Sequence, residues 1–272
     1  MKVTFIGGGN MATAIIGGLL ARGTRAADLR VVEPSEAQRE RLRARAQAIG
    51  VHPAISDSAV AGADLVVFAV KPQQMREAAR ALAPFVDPVP VVLTIAAGVR
   101  CADLSRWLGG YARIVRAMPN TPALVGAGIS GLYARPEAAD VARVAADVLA
   151  ACGEIVRCND ERDLDAVNAA SGNGPAYVFY FLEALEQAAI DLGLPAHEAR
   201  RLAYATFDGS MRLARASTDA PATLRANVTS KGGTTAAAIA VLDAANVRQR
   251  FIDAVKAGAA RAAELGDEYG KD

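Results

Sequence analysis

The stretch Val3-Thr4-Phe5-Ile6-Gly7-Gly8-Gly9-Asn10-Met11-Ala12 leaves this chain few ways to fold: an apolar run ends in three glycines and passes straight into a helical pattern. Gly7, Gly9 and Ala12 stand at G-x-G-x-x-A spacing. In that arrangement a strand turns sharply, a pyrophosphate approaches the backbone, and a helix packs closely on the strand it follows. A helix starting near Asn10 offers its first N–H groups to such an anion. A glycine triplet also serves a plain turn, so the motif needs its context.

The following residues supply that context. Leu29-Arg30-Val31-Val32 reads as a second strand, and Glu33 at its end lies roughly 20 residues past the fingerprint, where an acidic side chain can accept hydrogen bonds from a ribose. Ser35, Arg39 and Arg41 follow, and an Arg or Ser there can instead hold a 2′-phosphate, so NAD and NADP both stay open. Most of the arginines from Arg39 to Arg45 are expected on a solvated helix face. Asp64 to Pro72 is a β-branched run ending in Lys-Pro, and Pro88 to Gly98 and Arg113 to Pro122 repeat the design. Such runs read as strands buried on both faces. Ile129 to Ala134 and Glu154 to Cys158 read as two further strands, separated by a helix around Val141 to Leu149. Strands alternating with helices predict a Rossmann-type, doubly wound parallel α/β sheet with its ligand at the carboxyl ends of the strands.

Composition narrows the function classes. A chain of 272 residues, 52% hydrophobic, has material for two domains. A formal net charge of +1 argues against a nucleic-acid binder that relies on a basic surface. Cys101, Cys152 and Cys158 form no C-x-x-C pair, and His52 and His197 stand alone, so no disulfide framework or metal site is expected and a reduced, cytoplasmic protein fits. No run of about 18 apolar residues occurs, and the chain opens on a core strand, so neither membrane spanning nor secretion is expected.

Beyond Glu161 the strand pattern gives way to an alanine-rich helical half from Leu164 to Ala263. The boundary is placed at Asn159, giving a dinucleotide-binding domain over 1–159 and an all-helical domain over 160–272. A predicted helix over Ala176 to Leu192 carries Val178, Phe181, Leu182, Leu185, Ala189 and Leu192 along one face, which must be buried somewhere. A second copy of the chain is the expected cover, making a dimer through this half. Two segments here depart from plain helix: Ser171-Gly172-Asn173-Gly174-Pro175-Ala176-Tyr177, and Asn227-Val228-Thr229-Ser230-Lys231-Gly232-Gly233-Thr234-Thr235, which feeds a helix over Ala236 to Leu242. A hydroxyl-rich glycine turn at a helix N-terminus offers N–H groups and a positive dipole end to a carboxylate. Capping of the helix by Ser230 or Thr234 is the alternative.

At this point the whole chain resembles the pyrroline-5-carboxylate reductases, the enzymes of the last step of proline synthesis. The resemblance rests on Phe5 to Ala12, Ala69-Val70-Lys71-Pro72, Ala96-Ala97-Gly98, Met118-Pro119-Asn120-Thr121-Pro122, Ser171 to Tyr177 and Val228 to Thr235, in that order. It implies a reductase that moves a hydride from NADP(H) or NAD(H) to the C=N carbon of 1-pyrroline-5-carboxylate. As coenzyme contacts it implies Ile6, Gly7, Gly8, Gly9, Asn10 and Met11, then Pro34, Ser35, Ser56, Val70, Lys71, Pro72, Ala96, Ala97 and Asn227. As substrate contacts it implies Ser230, Thr234, Thr235 and Glu161, with the Thr235 hydroxyl as the catalytic group at the ring nitrogen. It also implies dimers through the helical domain, assembled into larger rings such as a pentamer of dimers. Departures from the family pattern are Glu33, which argues against strict NADP use, Ser56 for a usual asparagine, Asn173 for a usual serine and Lys231 for a frequent proline.

The residues fit this chemistry. A protonated cyclic imine is already electrophilic, so reduction asks for positioning and local electrostatics rather than a strong base. Two other readings stay open from residues alone. A 3-hydroxyacid dehydrogenase of the same plan would use a lysine or histidine on its helical half, where only Lys231 is suitably placed, and a dinucleotide sensor would have no need for the 230–235 hydroxyls.

Overall fold

The computed structural model describes residues 1–271. Two compact units divide them. The first comprises Met1–Asn173 together with the chain from Gly258 onward, and the second Gly174–Ala257.

The first unit is built on an eight-stranded sheet. Its strands are β1 (Val3–Ile6), β2 (Leu29–Val32), β3 (Gly50–His52), β4 (Leu65–Phe68), β5 (Val92–Thr94), β6 (Ile114–Met118), β7 (Gly128–Ala134) and β8 (Gly153–Arg157), in spatial order 3-2-1-4-5-6-7-8. Helices α1 (Asn10–Ala21), α2 (Glu36–Arg45), α3 (Asp57–Val60), α4 (Pro72–Leu82), α5 (Cys101–Trp107), α6 (Ala142–Ala150) and α7 (Asp163–Val167) complete it, with a π-helical turn at Asn168–Gly172. Every residue of β1 and β4 is buried, as an unbroken apolar strand covered on both faces should be. One core, including Phe5, Ile15, Leu65 and Leu149, fills one side of the sheet, and another, including Phe68, Met75, Leu82 and Leu104, fills the other.

β1 to β6 run parallel and β7 pairs with β8 in parallel, but β7 lies antiparallel to β6. The reason is the connection: only the short turn at Thr121–Val125 joins β6 to β7, whereas a parallel return needs a crossover of about a dozen residues or more.

The second unit is helical: α8 (Gly174–Asp191), α9 (Ala196–Ala216), α10 (Pro221–Asn227), α11 (Thr234–Ala244) and the first part of α12 (Val247–Gly270). α8 starts two residues before the expected Ala176, because Gly174-Pro175 occupies its first turn, where a proline's missing N–H costs nothing. α8 and α9 are joined through Gly193, whose φ is +97°, and Arg200 pairs with Glu186 across them at 2.9 Å. Tyr177 and Phe181 meet Phe251 edge-on at centroid distances of 5.5 and 5.7 Å. No residue of α8 is buried within this chain. Among the described residues no helix is long and apolar enough to cross a membrane.

Candidate active site

The carboxyl ends of β1, β2, β4 and β5 gather most of the predicted coenzyme residues. At the end of β1, Gly7 has φ +98°, and a Cβ there would stand 2.8 Å from the Ala69 carbonyl oxygen and 2.9 Å from Val70. Only glycine fits between these two strand ends. Gly9 is different: a Cβ would meet nothing within 4 Å. Its bare face is open, and it is the N-cap of α1, with no side chain capping the helix. The first N–H groups of α1 therefore keep no intrahelical partner. Together with open backbone at Gly9, they fit a pyrophosphate. Asn10 is exposed beside them and Met11 half-buried, while Ile6 is buried in the strand end.

Glu33, at the end of β2, spans the turn. Its Oε2 accepts from the Gly8 N–H at 2.9 Å and its Oε1 from the Ser35 N–H at 2.9 Å. Gln38, which the sequence did not single out, donates to the Gly8 carbonyl at 2.6 Å. Pro34 and Ser35 are exposed, and the Ser35 hydroxyl caps α2 by accepting from the Gln38 N–H. Arg39 is buried rather than on a solvated face: its guanidinium donates to the Glu33 and Pro34 carbonyls at 2.9 and 2.6 Å and pairs with Glu36. Arg43 also reaches Glu36, at 3.4 Å. Arg39 is thus engaged with two carbonyls and Glu36, and Arg43 with Glu36, while Arg41 is exposed.

Ser56 is half-buried at the start of α3, its hydroxyl 3.1 Å from that of Ser58. Val70 and Pro72 are half-buried and Lys71 is exposed between β4 and α4. Ala96 is buried, its N–H donating to the Thr94 hydroxyl at 3.3 Å, and Ala97 is half-buried before the turn at Gly98.

Glu161 lies in the same unit. Its Oε1 accepts from the Cys101 N–H at 2.7 Å, capping α5, and from Arg116 Nη1 at 3.0 Å. Arg116 points from mid-β6 into the interior, 5% exposed, and its other nitrogen is 3.6 Å from Asp165. Arg116 is therefore the buried member of the pair, and Glu161, partly exposed, and Asp165 share the neutralising of its charge. The Cys101 thiol is buried, and that burial, reinforced by the neighbouring Glu161 charge, pushes its pKa well above the ordinary thiol range. Asn120, just past β6, accepts from the Ile129 N–H at 3.0 Å and donates to the Ser171 hydroxyl at 3.1 Å. That contact fixes the π-helical turn leading into α8, a helix form often found at functional sites.

The helical unit holds the remaining predicted residues around one turn. Asn227 ends α10 and is exposed. Gly232 has φ +71°, the Gly233 N–H donates to the Ser230 carbonyl at 3.1 Å, and α11 begins at Thr234, earlier than the expected Ala236. Thr234 and Thr235 are thus first-turn residues. The N-cap is Gly233, and no side chain caps the helix. The capping alternative is therefore not what this turn does; its first N–H groups stay available beside the hydroxyls of Ser230, Thr234 and Thr235. Among the described residues no group of three or more His, Cys, Asp and Glu is placed to hold a metal ion.

Known proteins resemble this chain along its full length. The pyrroline-5-carboxylate reductase dimerisation family matches residues 161–265, and the family described as NADP oxidoreductase, coenzyme F420-dependent, matches residues 2–98. A pyrroline-5-carboxylate reductase of Pseudomonas aeruginosa is 43% identical over 99% of this chain and 98% of its own length. One of Haemophilus influenzae is 41% identical over 97% of each. Among solved structures, a pyrroline-5-carboxylate reductase from Coxiella burnetii superposes with a TM-score of 0.89 at 37% identity, covering 97% of this chain and 98% of that one. The Plasmodium falciparum pyrroline carboxylate reductase, solved with NADP bound, gives 0.85 at 26% identity, covering 98% of each.

Proposed function

The chain belongs to the pyrroline-5-carboxylate reductase family, and from that premise we propose how its own residues share the NAD(P)H-dependent reduction of 1-pyrroline-5-carboxylate to L-proline. The coenzyme supplies the hydride that adds to the C=N carbon. All else is positioning and electrostatics from the protein. Ile6 to Met11 hold the pyrophosphate, Pro34, Ser35 and Ser56 the adenine-ribose end, and Val70, Lys71, Pro72 and Asn227 further parts of the coenzyme. Ala96 and Ala97 give the nicotinamide ring a flat, small-residue wall.

The observation that carries the substrate assignment is the uncapped start of α11. The backbone N–H groups and the hydroxyls of Ser230 and Thr234 receive the substrate carboxylate. The Thr235 hydroxyl hydrogen-bonds the ring nitrogen as it passes from iminium to amine, accepting from the N–H in both states, and is the catalytic contact. Glu161, one oxygen of which is committed to Cys101 and Arg116, contributes its second oxygen as a substrate contact. No histidine is required.

The coenzyme end carries a finer proposal. A carboxylate at Glu33 favours a free ribose 2′-hydroxyl and repels a 2′-phosphate, while Arg39 and Arg43 are spent on carbonyls and Glu36. NADH is therefore used at least as well as NADPH. The chain is a homo-oligomer. We further assign the coenzyme half to 1–159 and the helical half to 160–272, with a dimer through the latter, a pentamer of dimers as the full assembly and the cytoplasm as its compartment.

The test is oxidation of NADH and of NADPH at saturating 1-pyrroline-5-carboxylate, with proline as the measured product, in wild type and Glu33→Ser. Expected are turnover with both coenzymes, comparable or better with NADH, and a shift toward NADPH in the variant. Oxidation of a 3-hydroxyacid in place of imine reduction would overturn the reaction; a strong wild-type preference for NADPH would overturn the role of Glu33 alone.

A further inference from the structure

The last part of α12 belongs to the same compact unit as the sheet and ends on the two turns assigned above to the coenzyme. Gly98, with φ +74°, lacks a Cβ where one would stand 3.1 and 3.2 Å from two ring carbons of Tyr269 and 3.4 Å from Leu265. The Tyr269 ring thus lies directly on the backbone of the turn that follows Ala96 and Ala97. Its hydroxyl accepts from Gln73 Nε2 at 3.0 Å, one residue beyond Val70-Lys71-Pro72. One side chain touches the 96–98 turn and the first turn of α4, the helix that the 70–72 turn introduces.

The helix end is held there by charges from elsewhere. A helix leaves its last carbonyls without partners and favours cations near them, yet α12 has no basic residue in its final turn. Instead Arg106 donates to the Gly270 carbonyl at 2.7 Å, Arg76 to that of Lys271, and Arg100 to that of Ala263 at 3.4 Å while pairing with Asp267 at 2.7 Å. These arginines come from α4, α5 and the residue just before α5, the helices that the two coenzyme turns introduce.

We propose that the C-terminal end of α12, through Tyr269, is a positioning element for the coenzyme, setting the spacing of the 70–72 and 96–98 turns before it binds. This rests on the assignment of those turns to the coenzyme. The chain carries its own reporter. Trp107, its single tryptophan, is 4% exposed and lies beneath Arg76 and Arg106, whose guanidinium carbons are 5.6 and 6.0 Å from its ring centroid.

The experiment compares full-length wild type, Tyr269→Phe and Tyr269→Ala. It reads the dissociation constants of NADH and NADPH from their own fluorescence without imine, acrylamide quenching of Trp107, thermal stability, and steady-state rates. In Tyr269→Ala the expected result is a roughly tenfold rise in coenzyme dissociation constant and KM with kcat near wild type at saturating coenzyme, since misplaced binding groups cost affinity steeply. Trp107 quenching should rise with it. Tyr269→Phe, keeping the ring and losing only the Gln73 bond, should recover most of the affinity. If Tyr269→Ala does not fold, Gln73→Leu carries the test, with an expected rise of about threefold. Coenzyme affinity within twofold of wild type, despite exposed Trp107 or lowered thermal stability, would reduce the contact to packing and overturn the proposal. Because binding is read without imine, a wild type that binds coenzyme but reduces no imine would contradict the reductase reading and not this result.

Discussion

The two compact units bury their hydrophobic residues by different means. The sheet unit hides Phe5, Phe68, Leu65 and Met75 completely. The helical unit buries only Ala199 and Ala203, and leaves Phe179 at 63%, Val241 at 69% and Leu192 at 86% exposure. Apolar area removed from water stabilises by about 25 cal/mol per Å², so the first unit carries its own driving force. The second leaves its apolar face open and matches a dimerisation family, so we propose that another copy of the chain supplies much of its driving force. What differs is where the partner surface lies.

The sharpest way to break this contrast is to charge the helical face. Phe179→Asp should abolish assembly and with it activity, by at least about a hundredfold, whereas an exposed apolar site on the sheet unit such as Val125 should tolerate aspartate. Light scattering and turnover, read together, check both. A dimer that survives the change would put the interface elsewhere.

Next in size is a pair of substitutions within the sheet unit. Gly7→Ala forces a Cβ to within 2.8 Å of the Ala69 carbonyl oxygen at a φ of +98°, and should cost several kcal/mol, about 3 or more, in urea unfolding. Gly9→Ala has space around it and should leave unfolding nearly unchanged while weakening coenzyme binding. Equal effects on stability would contradict the division of roles between the two glycines.

The smallest expected effect is at alkaline pH. Burial raises the folded-state pKa of Cys101 above its ordinary 9.0, and burial also pushes Tyr111 up to about 12. Above pH 9 the unfolded chain loses the thiol proton while the folded chain keeps it, so stability falls as pH rises. The urea midpoint should drop between pH 9 and about 11, less steeply in Cys101→Ala, with the Cys152 and Cys158 thiols and, near the top of that range, Tyr111 and Tyr133, all raised by burial, supplying the remainder. A flat profile would show that the thiol is not sequestered.

Much of this was legible in the residues because it is local. The apolar runs that became β1, β4, β5 and β6 needed only periodicity, and Thr234 and Thr235 were visible as hydroxyls beside a glycine turn. The reversal of β7 was not legible, since the strand looks the same in either direction and only the short Thr121–Val125 connection decides it. Arg116 reads as an ordinary strand residue until Glu161, 45 positions later, is seen to neutralise it. Gly7 and Gly9 are identical letters in one motif, separated only by what stands near their missing side chains. The return of Tyr269 to Gly98 joins residues far apart in the chain, and no pattern within α12 announces its destination.

We propose that the 230–235 turn handles the imine while coenzyme binding, Asn227 apart, rests on the sheet unit. The most direct measurement is therefore coenzyme affinity and turnover of Thr235→Ala beside wild type. The dissociation constant for reduced coenzyme should stay within about twofold and kcat should fall by about a hundredfold or more, as expected for a lost contact to the reacting nitrogen. Turnover and imine affinity at wild-type values, or a loss of coenzyme binding equal to the loss of turnover, would contradict the proposal.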